Sequence, residues 1–192
     1  ISALFHDEPT VEVMNRIGLD FNAVGNHEFD KGSAELLRLQ NGGCKANDPN
    51  SCKGAAVGTP VPFEGAKFKW LSANVVSTAT GKTLLPAYGI KRFGKVKVAV
   101  IGMTLEETPT IVTPAGVAGL QFKDEADTVN ALIPELRKQG VNTIVVLVHQ
   151  GGFQSGSLSD INGCDGGLAG SAIQQIVARF NDKVDAVVSG HT

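Results

Sequence analysis

The chain has 192 residues, 42% of them hydrophobic and 19% charged, enough for one well-buried core and unlike the composition of a disordered segment. Its net charge of −2 argues against general nucleic-acid binding, which needs a basic stripe to displace counterions along the phosphates. Small phosphate esters stay open as partners, because a metal can supply the positive charge instead. No apolar run approaches the roughly 20 residues that a membrane span requires. No signal-peptide pattern opens the chain, which starts at Ile1 without a methionine and stops at Thr192. Both ends read as cut, so a leader removed from a secreted protein is compatible with them.

In chain order, Val13, Met14 and Ile17 recur at helical spacing, with Pro9 in the first turn and Gly18 after the last, which predicts a helix over 8–17. It leads into an apolar strand from Phe21 to Val24. Residues 31–39 read as a second helix with Leu36, Leu37 and Leu39 inward and Asp30 or Ser33 as N-cap. Residues 40–66, rich in Gly, Asn and Pro, read as a surface loop. Strands are expected over 69–75, 88–92 and 96–103, the last two joined as a hairpin through Arg92-Phe-Gly-Lys95, so the sheet is expected to be mixed. Residues 106–119 lack apolar periodicity and read as a loop. The clearest helix spans 124–139, where Ala126, Val129, Leu132, Ile133 and Leu136 share a face, Gly140 follows as a cap, and Pro134 predicts a kink. A strand over 143–148, a glycine and serine loop over 151–167, a helix over about 169–180 and a strand from Asp185 complete a layered α/β pattern.

Of the four histidines, three stand where apolar strands end. His27 lies in Gly25-Asn26-His27-Glu28, directly after Val24; His149 ends Thr143-Ile-Val-Val-Leu-Val148; His191 follows Asp185-Ala-Val-Val-Ser-Gly190. Singly, a strand-end histidine is more often a surface or satisfied core residue than a ligand. Together they occupy the strand termini where open α/β sheets place ligands, beside an amide and carboxylates able to converge on one point. His6 has no such setting and reads as a surface residue beside Asp7. Cys44 and Cys52 bracket a polar loop that apolar burial could hardly shape, and are predicted to form a disulfide; two free thiols in a cytosolic enzyme are the other reading. Cys164 has no evident partner.

Gly25-Asn-His-Glu-Phe-Asp30, Val148-His-Gln-Gly-Gly152 and Ser189-Gly-His-Thr192, in this order, resemble three successive signatures of the calcineurin-like metallophosphoesterases, closest to the bacterial 5′-nucleotidase and 2′,3′-cyclic phosphodiesterase branch. The resemblance covers the whole chain and implies an α/β fold of two packed mixed β-sheets flanked by helices, in four layers and truncated at both ends, so that residues 1–192 form part of a catalytic domain. It implies two divalent metals, with Asn26, His149 and His191 as ligands of one; an amide oxygen and neutral imidazoles suit Zn²⁺, Mn²⁺ or Co²⁺ better than Ca²⁺. His27 would face the substrate phosphate as proton donor or transition-state stabiliser, with Asp30 orienting its ring, a role compatible with capping a helix. Glu28 reads as structural, and Gln150 to Gly152 as a turn that lets backbone approach the site.

The chemistry implied is attack on phosphorus by a metal-activated hydroxide, with the metals about 3.5–4 Å apart. Substrates would be nucleoside 5′-monophosphates, 2′,3′-cyclic nucleotides or other small phosphate esters, handled by a secreted, periplasmic or cell-wall enzyme. The family's Asp-x-His and Gly-Asp motifs, its residue after Gly-His-Thr and its substrate-binding domain have no counterpart in these residues. An inactive secreted α/β fragment or binding domain therefore stands as the alternative, with a one-metal hydrolase behind it.

Overall fold

The computed structural model describes residues 2–53, 62–153, 168 and 170–192. Its centre is a mixed four-stranded sheet in the order β4-β5-β7-β8, formed by Tyr88–Phe93, Val96–Met103, Thr143–Val148 and Ala186–Ser189. The hairpin β4–β5 is antiparallel, pairing Phe93 with Val96 across the turn, whereas β7 runs parallel to both β5 and β8. Register sets Met103 beside Val148 and Val148 beside Ser189, so three strands end side by side at one edge. Alternation explains why β7 holds this central place: Ile144, Val146 and Val148 are buried on one face, and β-branched side chains pack well on a pleated surface.

On that face lie α4 (Glu125–Lys138) and α5 (Ala172–Ala178), which bury Val129, Ile133, Leu136 and Ile173 against Ile101, Met103, Ile144 and Val146. On the other lies a parallel ladder of β1 (Phe21–Ala23) and β2 (Lys69–Leu71). Two glycines permit the contact. A Cβ on Gly102 would fall 2.4 Å from Leu71 Cβ, and one on Gly89 would fall 2.1 Å from the Phe21 ring. Beyond the ladder, α1 (Glu8–Ile17) and α2 (Ser33–Asn41) cover it with Val11 and Leu36, packed with Phe68 and Trp70. The succession of helices, sheet, sheet and helices is the four-layered α/β arrangement that the resemblance implies. A third pair, antiparallel β3 (Val75–Ser77) and β6 (Leu120–Phe122), carries Val75 and Phe122 into the same core as the ladder.

Several local expectations are corrected. The strand expected over 69–75 divides into β2 and β3, because the chain changes partners between them. Ser72 N–H donates to Pro86 O, Ala73 N–H to Gly102 O, and the fully buried Asn74 amide donates to the carbonyls of Thr104 and Lys123. The loop expected over 106–119 contains a helical turn, α3 (Thr108–Ile111), with Pro109 in its first turn, and a 3₁₀ turn at Pro114–Val117. In α1 the expected boundaries hold; of the residues at helical spacing Met14 packs on the core while Val13 and Ile17 are exposed, and Val11 and the carboxylate of Glu8 are buried. Neither Asp30 nor Ser33 caps α2; Gly32 occupies the cap position without a side-chain bond. Helix α4 (Glu125–Lys138) contains Pro134 on its exposed face, inside the range expected for it.

Cys44 and Cys52 are disulfide-bonded, with Cα atoms 5.5 Å apart. Polar burial shapes the loop they close. Glu8 accepts hydrogen bonds from Ser51 Oγ (2.6 Å), Cys52 N–H (2.6 Å) and Arg38 Nη1 (2.8 Å), and Arg38 stacks 5.3 Å above Phe63. His6 is not a surface residue: its side chain is 13% exposed and its Nε2 lies 2.8 Å from the Asp48 carboxylate of the same loop. Cys164 and most of the loop expected over 151–167 lie outside the described residues.

Candidate metal centre

Where β1 ends, Val24 N–H still bonds Leu71 O, and the chain then leaves the ladder at Gly25 and turns through the 3₁₀ segment His27–Phe29. Phe29 anchors this turn: it is fully buried, edge-on to Phe122 with ring centres 5.2 Å apart. Glu28 folds back so that Oε2 accepts the Gly25 N–H at 2.7 Å. Burial pushes the Glu28 carboxyl up from its ordinary range, opposed chiefly by that backbone donor. These bonds leave Asn26 buried, 4% exposed, and the His27 side chain 81% exposed.

His149, directly after β7, is held by its backbone N–H to Met103 O at 2.9 Å. Its Nε2 lies 2.8 Å from Asn26 Oδ1 and 3.1 Å from His191 Nδ1, and the two imidazole rings sit 4.9 Å apart, edge to face. His191 reaches this position from β8 with a left-handed backbone, φ 79°, a conformation that a non-glycine residue adopts at a cost. Close approach is also built into two glycines. A Cβ on Gly25 would stand 2.7 Å from His149 Cε1, and one on Gly151 would stand 2.1 Å from Thr192 Oγ1.

The donor set is informative. His149 Nε2 has one site, either a proton or a lone pair. With a proton it can bond Asn26 Oδ1 or His191 Nδ1, but one proton cannot give both contacts a full hydrogen bond. With a lone pair it faces the lone pairs of the amide oxygen. Two imidazole nitrogens and an amide oxygen gathered in this way are ligand types that borderline divalent metals accept, and the residues present fit such an ion. Burial, then the neighbouring His191 and His27, holds His149 below its ordinary pKa, which favours the neutral ring that a metal requires.

Beside this cluster, His27 Nδ1 lies 2.9 Å from Asp30 Oδ2. An ionised carboxylate can only accept, so Nδ1 carries the proton and Nε2 is left for another partner. The Asp30 hydrogen bond, followed by its charge, holds His27 above its ordinary pKa. A cavity of about 670 Å³ opens next to His27 and Asp30, with His6, Glu35, Leu39 and Trp70 among its other walls. Apart from this region, Glu106, Asp124 and Glu125 bring carboxylate oxygens within 4.8 Å of one another at the start of α4. Two of these carboxylates are engaged already, Asp124 with Arg179 and Glu125 with the Glu106 N–H.

The sequence-predicted residues are thus brought together as two adjoining units, Asn26–His149–His191 and His27–Asp30, while Cys44 and Cys52 close the loop that bonds Glu8 at the start of α1. Sequence reasoning missed the contact of Glu28 with Gly25. Its one signal was the spacing of a carboxylate three residues after a glycine that ends a strand.

No protein-family profile matches the chain. Over 99% of its length it is 39% identical to endonuclease YhcR of Bacillus subtilis, spanning 14% of that protein. It is 33% identical, over its full length, to cell wall protein Lmo0130 of Listeria monocytogenes, spanning 24% of it. Against the 5′-nucleotidase of Vibrio cholerae the identity is 33% over 78% of the chain and 23% of that enzyme. The calcineurin-like phosphoesterase YfkN of Bacillus subtilis superposes with a TM-score of 0.66 at 24% identity, over 97% of the chain and 50% of that structure. The 5′-nucleotidase precursor of Thermus thermophilus superposes with a TM-score of 0.63 at 27% identity, over 95% of the chain and 28% of that structure. The chain therefore spans between one seventh and one half of these proteins. Its fold is that of the calcineurin-like phosphoesterases. Within that class its sequence is 5′-nucleotidase-like, similar to those enzymes over part of their length.

Proposed function

We propose that residues 1–192 form part of the catalytic domain of a metal-dependent phosphate-ester hydrolase acting on nucleoside 5′-monophosphates or 2′,3′-cyclic nucleotides. The observation that carries this reading is the convergence of Asn26 Oδ1 and His191 Nδ1 on His149 Nε2 at 2.8 and 3.1 Å. These three residues would hold one divalent ion, with Zn²⁺, Mn²⁺ or Co²⁺ as candidates, and the intact protein would hold two. When bound, such ions supply Lewis acidity that activates water and offsets the negative charge of a phosphate.

The chain's own residues supply the rest. Asn26 and His149 come from the ends of strands in different sheets and fix the distance between them. His27, exposed and held by Asp30 with its proton on Nδ1, turns Nε2 toward solvent, where it can donate to a phosphate oxygen or a leaving group when protonated. The disulfide and the likeness to a protein named for the cell wall support a location outside the cytoplasm. A net charge of −2 favours a small ester over a polymeric substrate, although one relative is named an endonuclease.

The test is phosphate release from 5′-AMP and from 2′,3′-cyclic AMP by the intact protein with Mn²⁺, beside nicking of plasmid DNA. The expected result is turnover of the nucleotides that His27→Ala lowers by about 10²–10⁴-fold with little change in bound metal. Bound metal without turnover of any ester would refute the hydrolase, and cleavage of DNA alone would redirect it to nucleic acid.

A further inference from the structure

We propose that Glu28 is a positioning residue for the Asn26–His149–His191 cluster, acting through Gly25. The inference rests on the metal-site reading above and assigns Glu28 no contact with metal or substrate.

Three observations carry it. Glu28 Oε2 accepts the Gly25 N–H at 2.7 Å, which ties the end of the turn back to its start. The same oxygen and the edge of the His149 ring crowd one face of Gly25: the position a Cβ would take there is 2.9 Å from Glu28 Oε2, 2.7 Å from His149 Cε1 and 2.8 Å from His149 Nε2. Asn26, the residue between Gly25 and the turn, sends its Oδ1 to that same His149 nitrogen. The backbone that carries Asn26 is therefore clamped between a carboxylate held by the turn and the imidazole it serves. If Gly25 N–H lost its acceptor, the peptide joining it to Val24 would be free to rotate, and the shift would appear first at Asn26 and His149. Groups beyond the ligands that orient them typically change metal affinity by about 10–100-fold when removed.

The choice of residue fits the geometry. Aspartate is a methylene shorter and would not span the turn in the same way, while glutamine keeps an oxygen able to accept the Gly25 N–H and loses only the charge. Glu28→Gln therefore separates a hydrogen-bonding role from an electrostatic one.

The experiment titrates Co²⁺ into the intact protein and its Glu28→Ala, Glu28→Gln and His149→Ala variants, following the visible absorption of the bound ion. In the metal-free proteins, hydrogen exchange at the Gly25 amide and the imidazole ¹⁵N shifts of His149 are measured alongside. The expected result is Co²⁺ affinity lowered by about 10–100-fold in Glu28→Ala with an altered absorption band, and affinity near the starting value in Glu28→Gln. Gly25 exchange should quicken and the His149 shifts should move in Glu28→Ala alone. Unchanged Co²⁺ affinity and unchanged His149 shifts in Glu28→Ala would overturn the positioning role while leaving the metal site intact. Co²⁺ binding that His149→Ala does not weaken would overturn the metal-site reading itself, and the positioning role with it.

Discussion

A methyl group at Gly25 would meet His149 Cε1 at 2.7 Å and Glu28 Oε2 at 2.9 Å, so Gly25→Ala forces one of them to move. The backbone at Gly25 is not left-handed; close approach, not conformational freedom, makes the glycine necessary. Overpacking of this kind costs about 1–3 kcal/mol, and here its displacement falls on a proposed ligand. Gly25→Ala is expected to lose bound Zn²⁺ or Mn²⁺ on dialysis, measured by metal analysis, while its circular dichroism keeps the native shape. Retention of full metal content would mean that His149 is not held where the structure sets it. The histidines themselves were legible, because an imidazole after each of three apolar runs is a strong local signal. The roles of Glu28 and His6 were not, since a carboxylate and an imidazole look alike on a surface or in a turn until the partner is known. His6 finds Asp48 forty-two positions on, in a loop whose path depends on Glu8.

Among the elements, α4 was readable in its extent because its signals agree: one broad apolar face and a closing glycine. Asp124 accepts from Asp127 N–H at the helix start and pairs with Arg179, and the Arg179 hydrogen bond, helped by that backbone donor, holds its carboxyl below the ordinary range. A carboxyl lowered in the folded state contributes stability above its unfolded pKa and loses it as pH falls through the folded value. Asp124→Ala should therefore cost about 1 kcal/mol at neutral pH, and urea midpoints of variant and parent should draw together below about pH 4. A gap that stays constant into acid would show that the charge contributes nothing. The first helix was legible in extent, but helical spacing alone does not separate Met14, which packs on the core, from the exposed Val13 and Ile17. What turns α1 is polar: buried Glu8 meets Ser51, Cys52 and Arg38. Replacing Glu8 by Ala strands part of this network and is expected to destabilise the protein by about 3 kcal/mol. Cys44→Ser with Cys52→Ser, which opens a loop of sequence separation 8, should cost about 2–3 kcal/mol. Denaturant unfolding of both variants checks the pair. The split of 69–75 into two strands was hidden for a related reason: Asn74 bonds the carbonyls of Thr104 and Lys123, partners far away in sequence.

At the scale of the whole molecule, the candidate ligands do not belong to one sheet. Asn26 follows β1 of the parallel ladder, whereas His149 and His191 follow β7 and β8 of the four-stranded sheet. The two sheets meet across the glycine contacts of Gly89 with Phe21 and Gly102 with Leu71, apolar contacts without direction of their own. An ion held by Asn26, His149 and His191 would add a directional link between the layers, present only when both are folded. A ligand that binds the native state alone stabilises it by about 2.7 kcal/mol at 100 times its dissociation constant. Saturating Zn²⁺ or Mn²⁺ is therefore expected to raise the unfolding temperature of the intact protein measurably, by an amount that grows with the logarithm of metal concentration. His149→Ala and Asn26→Ala should each diminish the increase, although these two ligands lie in different sheets. His27→Ala should preserve it, because His27 pairs with Asp30 and stands outside the ligand set. An increase that His149→Ala does not diminish would locate the stabilising ion elsewhere, with the carboxylates of Glu106, Asp124 and Glu125 as the next group to remove. The pattern across these variants thus separates an ion that joins the two sheets from one bound at the start of α4, without reference to turnover.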